Sequence, residues 1–140
     1  MKKLLFLLLL LMPLNIYALE YPEINSKKAI VYDITDDKIL YEKNSNEQTN
    51  IASLTKIMTT ITAIEKIEDL NEEVIITKEI LDTVSKKASI AGLKENDKVT
   101  YEDLLYASML PSGADATNAL AISLCGSIEN FVKDMNAKAK

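Results

Sequence analysis

Apolar residues recur along this chain with three different spacings, and each predicts a different element. The first is continuous: behind Lys2 and Lys3, residues 4–14 are apolar except for Pro13, and Asn15, Ile16, Tyr17 and Ala18 follow. That order reads as a secretory signal peptide over residues 1–18, cleaved after Ala18. The alternative is a membrane anchor, which needs roughly 20 apolar residues, and this run falls short of that. The second spacing is short: residues 29–33 and 38–42 are two brief apolar and aromatic runs joined by Ile34, Thr35, Asp36 and Asp37, a hairpin with a polar loop. The third is helical: after the polar residues 44–50, Leu54, Ile57, Ile61 and Ile64 recur three or four positions apart, which predicts a helix beginning near Ser53. Val74, Ile75 and Ile76 form a brief strand candidate, and residues 77–99 read mostly as loop. Thr100, with Asp103 placed to cap in return, starts a helix through Leu104, Leu105, Ala107, Ser108 and Met109. Pro111, Ser112 and Gly113 break it. A third helix is expected over about residues 115–124, and Gly126 with Ser127 separates it from a fourth beginning near Ile128. The architecture expected is a helical cluster with a hairpin that is marginal without further strands. Residues 131–140 still run in helical pattern with no Gly or Pro stop, so the domain is expected to continue past Lys140.

Charge and composition narrow the chemistry. The formal charge of −5 becomes −7 over residues 19–140, because the leader removes Lys2 and Lys3 and no acid. Nucleic acid is not expected as a partner at that charge. With no histidine and a single cysteine, the chain has no Ser-His-Asp triad, no Cys-His pair and almost no route to a zinc site. A hydrolase built from these residues must activate its nucleophile in another way. Cys125, within an apolar stretch, reads as a small buried apolar residue. The pairs Glu72-Glu73 and Lys86-Lys87 read as solvated faces.

Ser53-Leu54-Thr55-Lys56 fits Ser-x-x-Lys, in which a serine at a helix start and a lysine one turn later stand on the same side. With nine serines and 14 lysines over residues 19–140, about one such match is expected by chance. The surroundings add weight, since Lys56 is the only charged residue between Asn50 and Ile64 and sits among Ile51, Leu54, Ile57, Met58, Ile61 and Ile64. A lysine in that setting is expected to be desolvated, which disfavours the ammonium form and suits it to accept a proton from a neighbouring hydroxyl. The structural alternative is a lysine that snorkels off an amphipathic helix, with Ser53 only a cap. Ser112, in the break between two helices, likewise has a plain reading as a turn serine.

The wider string Ile51-Ala52-Ser53-Leu54-Thr55-Lys56-Ile57-Met58-Thr59 is similar to the first active-site motif of the serine-type D-alanyl-D-alanine carboxypeptidases, the low-molecular-mass penicillin-binding proteins of peptidase family S11. The upstream hairpin, with Tyr32-Asp33 and Leu40-Tyr41-Glu42-Lys43-Asn44, resembles the same family's approach to that helix. Met109 through Ala116 looks like its second motif, Ser-x-Asn, with Ser112 as the serine and Ala114 where the asparagine would stand. An alanine cannot make the side-chain hydrogen bonds of an amide. The third motif, Lys-Thr-Gly on a strand, is absent. The resemblance implies an α/β (α+β) penicillin-binding, β-lactamase-like transpeptidase fold, a helical cluster against an antiparallel sheet, of which residues 19–140 are the N-terminal part of the catalytic domain.

The activity so implied is removal of the terminal D-alanine from peptidoglycan stem peptides ending in D-Ala-D-Ala. Ser53 would be the nucleophile, Lys56 the general base and Ser112 a proton relay. Ser112 and Gly113 would contact the substrate, and neither metal nor organic cofactor would be needed. β-Lactam antibiotics would be covalent inhibitors. The enzyme would be exported and act outside the cytoplasm, with peripheral membrane association through the C-terminal part. Two rivals remain: a class A β-lactamase-like hydrolase, which needs an asparagine where Ala114 stands, and a catalytically weak penicillin-binding or regulatory protein of the same fold, which does not.

Overall fold

The computed structural model describes residues 23–140, so the expected signal peptide lies outside the described residues. The chain divides between Thr49 and Asn50 into two compact units.

In the first unit, β1 (Ala29–Asp33) and β2 (Lys38–Lys43) form an antiparallel ribbon in which Ala29 faces Lys43 and Asp33 faces Lys38. The register shifts between Val31 and Tyr32, so Leu40 is carried as an extra residue in β2. The turn is closed by the Asp33 carboxylate, which accepts from the N–H groups of Thr35 (2.9 Å) and Asp36 (3.3 Å), and by the Tyr32 hydroxyl donating to Asp37. Lys28 donates to the carbonyls of Glu47 and Gln48 at 3.1 and 2.8 Å and so fastens the strand's approach to the segment that follows β2.

The second unit begins with a 3-10 turn, Ala52–Leu54, that runs directly into α1 (Thr55–Ile64). β3 (Glu73–Ile75) follows, then α2 (Lys78–Asp82), β4 (Lys98–Thr100), α3 (Tyr101–Met109), α4 (Ala114–Cys125) and α5 (Ile128–Lys138). α4 is the axis of the unit: Ala116, Ala119 and Leu120 are fully buried, and α1, α2, α3 and α5 all pack against it. Its small side chains let four neighbours approach closely, and only Ser123 of its twelve residues is exposed, as suits a central helix. Leu104 of α3, Phe131 of α5 and Ile76 complete the fully buried centre.

The helix ends follow local chemistry. Thr100 and Asp103 form a reciprocal capping box, Thr100 Oγ1 accepting from the Asp103 N–H at 3.1 Å and the Asp103 carboxylate from the Thr100 N–H at 3.0 Å. Gly126 stops α4 at φ 73°, and Ser127 caps α5 through the Asn130 N–H.

Residues 77–99 are mostly loop, as expected, apart from the short α2 capped by Thr77 and from β4, which pairs antiparallel with β3 (Val74 opposite Val99). A five-residue helix is too short to show periodicity, and the strand's partner is remote in sequence. On α1, the apolar stripe is not the face that meets the described core. Thr59, Thr62 and Ala63 are buried, whereas Leu54 is 62% exposed and Ile57, Ile61 and Ile64 are about half exposed. Cys125 is half-buried rather than buried, its thiol donating to Asp134 at 3.6 Å beside the Lys66–Asp134 ion pair (2.6 Å).

Two carboxylates, one capping and one buried, contribute to the acid sensitivity of this unit. Hydrogen bonds from the backbone and side chain of Thr100 hold Asp103 below its usual 3.8. Burial pushes the Asp115 carboxyl up, but four backbone N–H donors outweigh it and leave it below the same value. Because both folded values lie below the unfolded one, their stabilisation is complete above the ordinary carboxylate range and is lost as pH falls through the folded values. The thermal midpoint should therefore stay level near pH 6 and fall below pH 4, and Thr100→Ala should cost about 1 kcal/mol in urea unfolding at neutral pH. A midpoint insensitive to acid would contradict this account.

Candidate active site

The chain reaches Ser53 through a bend that local hydrogen bonds enforce. Asn50 Oδ1 accepts from the Ala52 N–H (3.0 Å), the Leu54 N–H bonds back to the Ile51 carbonyl (3.1 Å), and Ala52 sits at φ 47°. Ser53 therefore lies in the 3-10 turn, exposed, at the head of α1. Neither that turn nor α1 has a side-chain capping bond, so Ser53 does not act as a cap. Its hydroxyl instead accepts a 3.0 Å hydrogen bond from Ser112 Oγ, 59 residues along the chain. With Ser112 as donor, the Ser53 proton is free to be taken by a base. Lys56 stands in the first turn of α1, three positions on and on the same side. It is half-buried, and among the described residues no carboxylate lies within ion-pair distance of it.

Ser112 occupies the tight connection between α3 and α4 at φ 59°. Among the described residues five non-glycine positions have positive φ; Asp37, Asn44 and Asn96 are of the types that tolerate it, whereas Ala52 and Ser112 are not. The backbone strain, about 1–3 kcal/mol for each such residue, thus collects beside the two paired hydroxyls. The connection is held in place from within. The Gly113 N–H donates to the Ala107 carbonyl (3.1 Å), and the Gly113 carbonyl accepts from both the Thr117 N–H (3.1 Å) and its hydroxyl (2.7 Å). Buried Ser108 meets that same hydroxyl at 2.9 Å. Gly113 has both backbone polar groups engaged in this way, which lets the turn close tightly. Ala114 offers only a methyl group on its side chain, while its N–H donates to the Ser89 carbonyl (2.8 Å). Asp115, which sequence reasoning passed over, is 2% exposed beneath the turn, and nothing in a local pattern marks a carboxylate whose partners are backbone N–H groups 22 to 24 residues earlier. Among the described residues no group of three His, Cys, Asp or Glu side chains could hold a metal ion.

The family model of peptidase S11, described as D-alanyl-D-alanine carboxypeptidase, matches residues 16–140. The chain belongs to this family. D-alanyl-D-alanine carboxypeptidase DacF of Bacillus subtilis is 37% identical over 119 residues, covering 82% of this chain and 30% of the relative. The structure of the Streptomyces K15 DD-transpeptidase superposes with a TM-score of 0.81 at 32% identity, over 86% of this chain and 49% of that one. Penicillin binding protein 5 from Haemophilus influenzae superposes with a TM-score of 0.77 at 29% identity, over 86% of this chain and 36% of that one. The fold is that of these family S11 DD-peptidases, and the chain spans between 30% and 49% of their length.

A side chain at Gly113 would collide with fixed atoms: its Cβ would lie 2.7 Å from the Ala107 carbonyl oxygen, 2.8 Å from Asp115 Oδ1 and 2.9 Å from Ala91 Cβ. Gly113→Ala should therefore destabilise by about 1–3 kcal/mol. Ala52→Gly, which relieves strain, should be neutral or stabilising by up to about 1 kcal/mol. Urea unfolding of the two variants checks both, and equal midpoints would refute the assignment of crowding to one position and strain to the other.

Proposed function

We propose that this chain is the N-terminal part of an exported serine-type D-alanyl-D-alanine carboxypeptidase that works through an acyl-enzyme on Ser53. Residues 1–18 would direct export, and residues 19–140 would form the first part of the catalytic domain. The observation that carries the reading is the 3.0 Å contact between the Ser53 and Ser112 hydroxyls, with Lys56 one turn beyond. That arrangement suits acyl transfer without histidine. Ser53 Oγ attacks the carbonyl carbon of the penultimate D-alanine as its proton passes to the Lys56 amine. When the C–N bond breaks, Ser112 relays a proton from Lys56 to the departing amine of D-alanine. Water then attacks the ester, Lys56 takes its proton, and the shortened stem peptide leaves with Ser53 restored. A β-lactam enters by the same attack and its ring opens to an ester on Ser53.

Ala114 supports a second reading, a penicillin-interactive protein of this fold with little turnover, because the turn beside the two hydroxyls lacks an amide to orient the peptide. The two readings differ in whether acylation is followed by release of D-alanine.

In the full-length protein Ser53→Ala should abolish labelling by a fluorescent penicillin, and Lys56→Ala should slow it by about 10²–10⁴-fold. Retained labelling of the Ser53→Ala protein would refute the assignment. Residues 19–140 alone should be inactive and poorly cooperative in unfolding. Leu54, Ile57, Ile61 and Ile64 stand open on α1, and an apolar groove of about 400 Å³ lies between Ile64, Leu70, Leu105, Tyr106, Met109 and Leu110. Full burial of such a side chain contributes about 1.5–3 kcal/mol, and these half-exposed ones forfeit roughly half of that. A sharp thermal transition together with full D-alanine release from the short chain would sink the view that later residues complete the domain.

A further inference from the structure

The Asp115 carboxylate is used entirely by the backbone. Oδ1 accepts from the N–H groups of Ala91 (2.8 Å) and Ala116 (3.0 Å), and Oδ2 from those of Gly92 (2.9 Å) and Leu93 (3.0 Å). Three consecutive amides can converge on one carboxylate because Gly92 adopts φ 93°. The Ala114 N–H returns a bond to the Ser89 carbonyl at 2.8 Å. Residues 89–93 and the start of α4 are thus sewn together by four hydrogen bonds, three of them on one side chain. Elsewhere in residues 84–97 the bonds are largely local, such as Ala88 to Ser85 and Asp97 to Lys94, so that carboxylate is the chief template for the segment.

Ser112 lies three residues before Asp115, in a left-handed conformation that persists only where the surroundings over-determine it. On one side those surroundings are Ser108 and Thr117; on the other they are residues 89–93, drawn so close that a Cβ on Gly113 would touch Ala91. We propose that Asp115 is a positioning residue for Ser112: its carboxylate clamps residues 89–93 against the α3–α4 turn and so fixes the conformer that donates to Ser53. The inference rests on the acyl-transfer reading given above and adds the group that holds the relay in place.

The test uses the full-length protein and a fluorescent penicillin as probe. Asp115→Asn keeps one oxygen but sets an amide NH₂ against N–H donors. It should slow Ser53 acylation by about 10–100-fold with little change in the concentration for half-maximal rate, and should speed amide exchange at Ala91, Gly92 and Leu93. Gly92→Ala, whose methyl group meets nothing within 4 Å but whose backbone is strained at φ 93°, should give a smaller loss in the same direction while leaving the core untouched, which serves if the first variant folds poorly. Phe131→Leu, in the core on α5, supplies a destabilised control that should acylate at the wild-type rate at a temperature where it is folded. Wild-type acylation rates in both loop variants, or an equal loss in Phe131→Leu, would overturn the proposal. Failure of the wild-type protein to label would instead remove the acyl-transfer reading, and unchanged exchange at residues 91–93 in Asp115→Asn would overturn the clamp by itself.

Discussion

Where the end of α3, the start of α4 and residues 89–93 converge, the space at Gly113 admits a hydrogen atom and nothing larger. The three nearest obstacles belong to three different segments: a carbonyl of α3, the carboxylate of Asp115 and the methyl group of Ala91. Close approach at that point lets one short turn be held by α3 through Ser108 and Ala107 and by the loop through Ser89. The left-handed backbone of Ser112, its reach across to Ser53 and the burial of Asp115 all follow from a residue without a side chain. A substitution at Gly113 would therefore act on chemistry and stability together, because the same atoms serve both.

α1 divides its faces in an unusual way. Inward, toward α3, α4 and α5, it turns Thr59, Thr62 and Ala63, and the hydroxyls of Thr60 and Thr62 are buried without a hydrogen-bond partner among the described residues, at about 1–3 kcal/mol each. Outward it turns its apolar stripe. The small side chains let α1 lie close to the central helix, which brings the 3-10 turn within reach of Ser112. Close approach is gained at the expense of apolar burial on the inner face.

Much of this was legible in the sequence, and the reasons differ by residue. The β1–β2 ribbon, the Thr100–Asp103 box and the Gly126–Ser127 break are written in neighbours a few positions apart, so composition and spacing suffice to find them. The pairing of Ser53 with Ser112 could be anticipated only through resemblance to the motif strings of a family, since no local pattern links residues 59 positions apart. β4 and the Asp115 clamp stayed hidden because each depends on main-chain groups remote in sequence, and main-chain groups leave no residue-type signal. On α1 the period was readable, but periodicity gives the width of an apolar stripe and not which of two faces meets the core.

The surroundings of Cys125 bear on redox chemistry. Burial raises its pKa above the ordinary 9.0; Lys66 works against that, and the hydrogen bond to Asp134 works with it by holding the proton on sulfur. The thiolate is the reactive form toward oxidants and disulfides, and at neutral pH this sulfur keeps little of it. The Asp134 carboxylate thus slows disulfide coupling through Cys125 without hiding the thiol.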